Sequence, residues 1–104
     1  MHSESSYMIG IEEAKKSSSQ AIYLDQGIRK ASGVKLPRNT RPDASTLRKD
    51  GKVSTYEVKS KTDDINILKK KVQDTTKELK AYDKADGGRA YEIRDIIKLK
   101  EHIK

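Results

Sequence analysis

Cysteine, tryptophan and phenylalanine are absent from this 104-residue chain, and its two histidines are His2 and His102, one near each end. Without Cys there is no disulfide framework, no thiolate zinc site and no cysteine nucleophile. With both His at the chain ends, catalytic triads and histidine-based zinc hydrolase motifs have nothing to be built from. No run of about 18 apolar residues is present to span a bilayer, and Met1-His2-Ser3-Glu4-Ser5-Ser6 has neither the basic start nor the apolar stretch of a signal peptide. Five tyrosines are the whole aromatic complement, which argues against a stacking platform for single-stranded nucleic acid. Charge, by contrast, is plentiful. Lys and Arg number 23 against 16 Asp and Glu, a net +7, and such a balance favours a polyanionic partner, nucleic acid or an anionic membrane surface. Charged residues make up 38% of the chain, close to compositions that stay unfolded, so the case for a fold rests on the order of the apolar residues.

That order predicts one small α/β domain over residues 8–104, preceded by a polar, unstructured start at residues 1–7. Ile11, Ala14, Ser18, Ala21 and Ile28 recur at helical intervals, predicting a first helix from Ile9 to Ala31 that stops at Ser32-Gly33. Val34 to Thr40, with Pro37, reads as a loop. Two strand-like runs between Arg41 and Ser60 flank Lys49-Asp50-Gly51-Lys52 and predict a hairpin. Thr62, Asp63 and Asp64 then supply an N-cap and two acids where the helix dipole favours them. Ile65, Leu68, Val72, Thr75, Leu79 and Tyr82 form the stripe of a second helix running to Gly87-Gly88; Tyr56 and Tyr82 are expected in the core. A strand over Arg89–Arg94 and a short helix carrying Ile96, Ile97, Leu99 and Ile103 complete the order helix, strand, strand, helix, strand, helix.

Chemistry concentrates in the hairpin. Asp43 opens its first strand and Glu57-Val58-Lys59 lies near the end of its second, so alternation puts Glu57 and Lys59 on one face and Tyr56 and Val58 on the other. Whether Asp43 joins them depends on the turn. A two-residue Asp50-Gly51 turn pairs Asp43 with Val58 and points it away; a three-residue Lys49-Asp50-Gly51 turn, with Gly in a left-handed bulge position, pairs Asp43 with Glu57. The sequence permits both registers. In the second, two carboxylates and an ammonium converge at the ~4.5–5.5 Å Cβ spacing of a cross-strand pair. Two such carboxylates repel unless a cation lies between them, and hard oxygen donors suit a divalent ion, magnesium first and manganese second. A neighbouring Lys can stabilise a pentacovalent phosphate or orient the attacking water.

Arg41-Pro42-Asp43, a span of hairpin length, Glu57-Val58-Lys59 and a following amphipathic helix resemble the PD-(D/E)XK nuclease superfamily, over roughly residues 8–95. The resemblance implies a restriction-endonuclease-like core of a helix, a strand hairpin, a helix and a further strand. It implies Asp43 and Glu57 as metal ligands and Lys59 as the catalytic lysine. Many members add an acid from the first helix, and here Glu13, at the border of the apolar face, is preferred over Glu12; Asp25, inside the apolar stripe, is second choice. Lys61, two residues beyond Lys59, and Arg41 are candidate phosphate contacts. A Gln followed four residues on by Tyr marks some branches, but Gln73 is followed by Lys77, which disfavours the recombination-type branch. Lys69-Lys70-Lys71, Lys77 and Lys80 decorate the second helix, interleaved with Asp74 and Glu78.

Size, charge and motif together are similar to the C-terminal toxin domains of bacterial contact-dependent growth inhibition and related polymorphic toxin systems. That similarity implies an endonuclease carried by a secreted or cell-surface protein into a target-cell cytoplasm. There it would cut tRNA, with DNA as second choice, until an acidic immunity protein covers its positive cleft. The isolated domain would need no membrane. The alternative is a non-catalytic basic nucleic-acid-binding module in which Asp43, Glu57 and Lys59 are surface charges.

Overall fold

The computed structural model describes residues 8–13, 15, 19–59 and 62–92. Residues 8–13 form a helix, α1, but the helical period that continues past them is not followed. A strand, β1 (Ser19–Leu24), and a short helix, α2 (Ile28–Ser32), stand where one helix to Ala31 was expected. The local reasons are in the residues. Ser17-Ser18-Ser19 are poor helix formers, Ile22 and Tyr23 favour extended backbone, and Asp25 turns the chain in a left-handed conformation at φ 48°. The decisive one is remote: β1 pairs antiparallel with β2 (Ala44–Arg48), Leu24 opposite Ala44 and Tyr23 opposite Ser45. Read at period two, Tyr23 packs on the cluster of Ile28 and Leu36, while Leu24 packs on the cluster of Ile9 and Tyr56. A sheet ladder outweighs a helical spacing of weak formers because isolated helical turns are marginal without packing.

β2 continues through a turn into β3 (Val53–Val58), and α3 (Ile65–Lys80) crosses to β4 (Ala85–Tyr91). The sheet order is β1-β2-β3-β4, antiparallel except for the parallel pair β3/β4. The described order is therefore α1-β1-α2-β2-β3-α3-β4: the α/β class and the hairpin hold, with one more strand before the hairpin than the sequence suggested. The start at residues 1–7, the end of the expected strand and the C-terminal helix lie outside the described residues.

The hairpin takes the three-residue register. Thr55 faces Ser45, Val53 faces Leu47, and the Arg48 N–H donates to the Lys52 carbonyl at 2.9 Å across the Lys49-Asp50-Gly51 turn. Gly51 stands at φ 87°, the left-handed conformation that a side chain resists and that lets a three-residue turn close without splaying the strands. Every residue of β3 is buried, as a central strand covered on both faces must be. Its even residues, Tyr56 and Val58, pack with Ile9 of α1, Ala44 and Tyr91; Val53, on the other face, packs with Ile28, Ala31, Leu36 and Leu79. Burying each large aliphatic of these clusters contributes about 1.5–3 kcal/mol.

Asp64 caps α3, its carboxylate accepting the Asn66 N–H at 2.8 Å, and Val72, Thr75 and Leu79 are its buried face. The helix ends at Lys80, earlier than Gly87-Gly88, because Asp83 turns left-handed at φ 57° and the Lys84 N–H donates back to the Leu79 carbonyl. Tyr82, expected in the core, lies in that turn and is 47% exposed. The two glycines instead lie inside β4. A Cβ on Gly88 would stand 2.3 Å from the Thr55 carbonyl oxygen, so only glycine lets β4 approach β3 this closely.

Candidate active site

Asp43 directly precedes β2, and continuing the β2/β3 register past Ala44–Tyr56 sets it opposite Glu57. Its Oδ2 accepts the backbone N–H of Val58 at 2.7 Å, fixing the carboxylate across the strand ends. Glu57, three residues beyond Ser54 in the buried central strand, points to the α3 face with its side chain 5% exposed. Lys71 of α3 reaches it, Nζ to Oε1 at 3.3 Å.

Burial is the largest influence on Glu57, since a carboxylate withdrawn from water loses its solvation. The Lys71 ammonium opposes it and the neighbouring Asp43 charge reinforces it, leaving the Glu57 carboxyl pushed up to about 7. Lys59 follows β3, its N–H donating to the Tyr91 carbonyl at 2.8 Å, so pairing with β4 extends through it. The two-residue spacing keeps it on the face of Glu57. Asp43 and Glu57 thus face each other at one end of the hairpin, as the three-residue register requires, and Lys59 follows Glu57 by two residues along the same strand.

The first-helix acids do not join them. Glu13 accepts a hydrogen bond from the Tyr91 hydroxyl, and its charge acts on Tyr56. Tyr56 and Glu57 are consecutive in a strand and so face opposite ways, which puts Glu13 on the α1 side of the sheet, away from Glu57. Its preferred place in the metal shell is therefore corrected. The Tyr91 hydroxyl, buried and bonded to that carboxylate, holds its proton more tightly than a free tyrosine. Glu12 pairs with Lys15 at 3.7 Å. Asp25 is not in an apolar helical stripe at all: it lies exposed in the turn after β1, 3.5 Å from Arg41, whose guanidinium also donates to the Asp25 carbonyl at 2.8 Å. Arg41 braces that turn while staying largely exposed. Lys61 lies outside the described residues.

Lys71 is the site residue that sequence reasoning missed. It reads as one of three consecutive surface lysines, yet it falls three residues after Leu68 and four before Thr75, on the border of the buried stripe; helical phase was the available signal.

On the opposite face a second polar group gathers around a concavity of ≈ 530 Å³ lined by Glu13, Arg48, Ser54, Tyr56, Asp86 and Arg89. Arg48 and Asp86 pair there at 2.9 Å, and Ser54 donates to Asp86 at 3.1 Å. Its two acids and two arginines balance, whereas at the hairpin end a buried carboxylate faces a second acid.

Among the described residues no group of three or more His, Cys, Asp or Glu comes together. Asp43 and Glu57 form a pair, and the Glu57 carboxylate also accepts a hydrogen bond from the Asp43 backbone. A pair is a donor set that magnesium accepts, because it keeps several waters and takes only one or two protein carboxylates. Compared with protein-family models, with curated proteins and with solved structures, the chain matches none.

Proposed function

We propose that the chain is a metal-dependent endonuclease of the PD-(D/E)XK type, acting as the toxin domain of a contact-dependent growth inhibition system. The observation that carries the reading is the three-residue hairpin register, which aligns Asp43 with Glu57, with Lys59 two residues further along the same strand. The run α2, hairpin, α3, β4, which follows α1 and β1 in the described residues, supports it. So does the net charge of +7, which draws a polyanion to the surface.

Asp43 and Glu57 would hold a magnesium ion, with manganese as substitute; bound there, it supplies a polarised phosphoryl oxygen and a water of lowered pKa. The chain's own residues do the rest. Asp43, tied to the Val58 N–H, holds its carboxylate in a fixed position. Lys59 offsets the negative charge that develops on the phosphate and orients the attacking water. The exposed lysines of α3 and the Arg41 side chain contact the backbone of the nucleic acid without reading its sequence. A folded tRNA is the first choice of substrate and DNA the second, and an acidic immunity protein would close the site.

The experiment incubates the protein and its Lys59→Ala variant with total tRNA and with plasmid DNA, in magnesium and in EDTA, and reads the products on gels. Metal-dependent cleavage of one substrate, lost in the variant, is the expected result. Salt-sensitive binding of both substrates without cleavage would point to a non-catalytic basic binding module.

A further inference from the structure

We infer that Lys71 occupies the cation position of the Asp43–Glu57 pair and trades places with the divalent ion, so that loading the site releases its ammonium from Glu57. This rests on the reading of that pair as a metal site. Lys71 is delivered by α3, an element separate from the hairpin that carries both acids, and its Nζ stands 3.3 Å from Glu57 Oε1. The two partners are unequally held: the Glu57 side chain is 5% exposed and that of Lys71 is 42% exposed.

That asymmetry decides which partner moves. Glu57 is anchored in the central strand between two packed layers and cannot swing toward another cation. Lys71 carries its charge on a four-carbon stem beside solvent, and rotating the ammonium into water costs little. A divalent ion on Glu57 would stand within a few ångströms of the ammonium, and like charges that close do not share one carboxylate in a half-dry site. The chain therefore provides its own counter-ion for a carboxylate that would otherwise be buried uncompensated. Metal affinity is then set by an exchange, and the coupling is reciprocal: whatever Lys71 gains from Glu57, the metal must overcome.

The test uses the full chain as wild type, Lys71→Gln and Lys71→Arg. Each is titrated with MgCl2 by calorimetry at pH 8.5. Wild type is also treated with an amine-acylating reagent with and without Mg2+, and modification is read peptide by peptide by mass spectrometry. Lys71→Gln should bind Mg2+ about tenfold more tightly than wild type, the range between an exposed and a buried pair, and Lys71→Arg should restore the weaker binding. Acylation of Lys71 should rise several-fold with Mg2+ while Lys69 and Lys70 are unchanged, a readout that needs no variant to fold. Mg2+ binding to wild type with affinity and acylation both indifferent to Lys71 would refute the exchange and leave the metal site standing. Absence of Mg2+ binding in every form would overturn the metal site and the exchange with it.

Discussion

Glu57→Gln should stabilise the fold at neutral and alkaline pH, although it removes one half of an ion pair. Ordinarily such a change strands a buried charge, but here the remaining partner, Lys71, is 42% exposed and turns to water. The carboxyl of Glu57 titrates near 4.5 when unfolded and near about 7 when folded, mainly because burial disfavours its charged form. Between those two values the unfolded chain has released a proton that the folded protein still holds. Stability therefore falls as pH rises through that window and stays lowered above it. At about 1.4 kcal/mol per pH unit, the loss amounts to about 3 kcal/mol, net of the attraction of Lys71. Glutamine fills the same space without the charge. In thermal melts at pH 4 and pH 8, the variant should match wild type at the lower pH and exceed its Tm by upwards of about 10 °C at the higher one. The comparison between the two proteins cancels the titration of every other acid. A variant that matches wild type at pH 4 but is less stable than it at pH 8 would refute the reasoning, since it would mean that the ion pair outweighs the burial. The same instability gives a cation something to relieve, as functional sites commonly do.

Asp43→Ala should cost about 1–3 kcal/mol in urea melts by leaving the Val58 N–H without its 2.7 Å partner. It should also remove any rise in Tm that Mg2+ gives the wild type. Gly88→Ala should destabilise by at least about 1–3 kcal/mol, because the new Cβ would stand 2.3 Å from the Thr55 carbonyl oxygen and force β4 off β3; faster amide exchange along β4 would report it. Leu79→Ala, at a fully buried position under the sheet, should cost about 2–5 kcal/mol in the same melts.

Much of the hairpin end was readable from the chain. Glycine after Lys49-Asp50 offered a three-residue turn, and alternation then put Glu57 and Lys59 together; the observed pairs Ser45–Thr55 and Leu47–Val53 are those of that register. Choosing between the two registers needed the rest of the sheet, since turn chemistry alone tolerates both. The stretch from Ile9 to Ala31 misled because its apolar residues satisfy a helical period and, from Ser19 to Leu24, a strand period as well. Glu13 misled for a related reason: a helical wheel says which side of a helix faces the protein, and nothing about which face of the sheet that helix covers.

Composition, with no cysteine and histidines only at positions 2 and 102, already excluded thiolate chemistry and left the chain with a net charge of +7. Spacing along the chain also determined the body of α3, because helical phase is a local property of neighbouring residues, while its cap at Asp64 rather than Thr62 and its end at Lys80 came from the structure. The placement of β1, the separation of Glu13 from Glu57 and the meeting of Lys71 with Glu57 were settled by assembly alone. Each depends on residues distant in sequence becoming neighbours across a sheet or between layers, and that energy of pairing and burial has no counterpart in any short window of the chain.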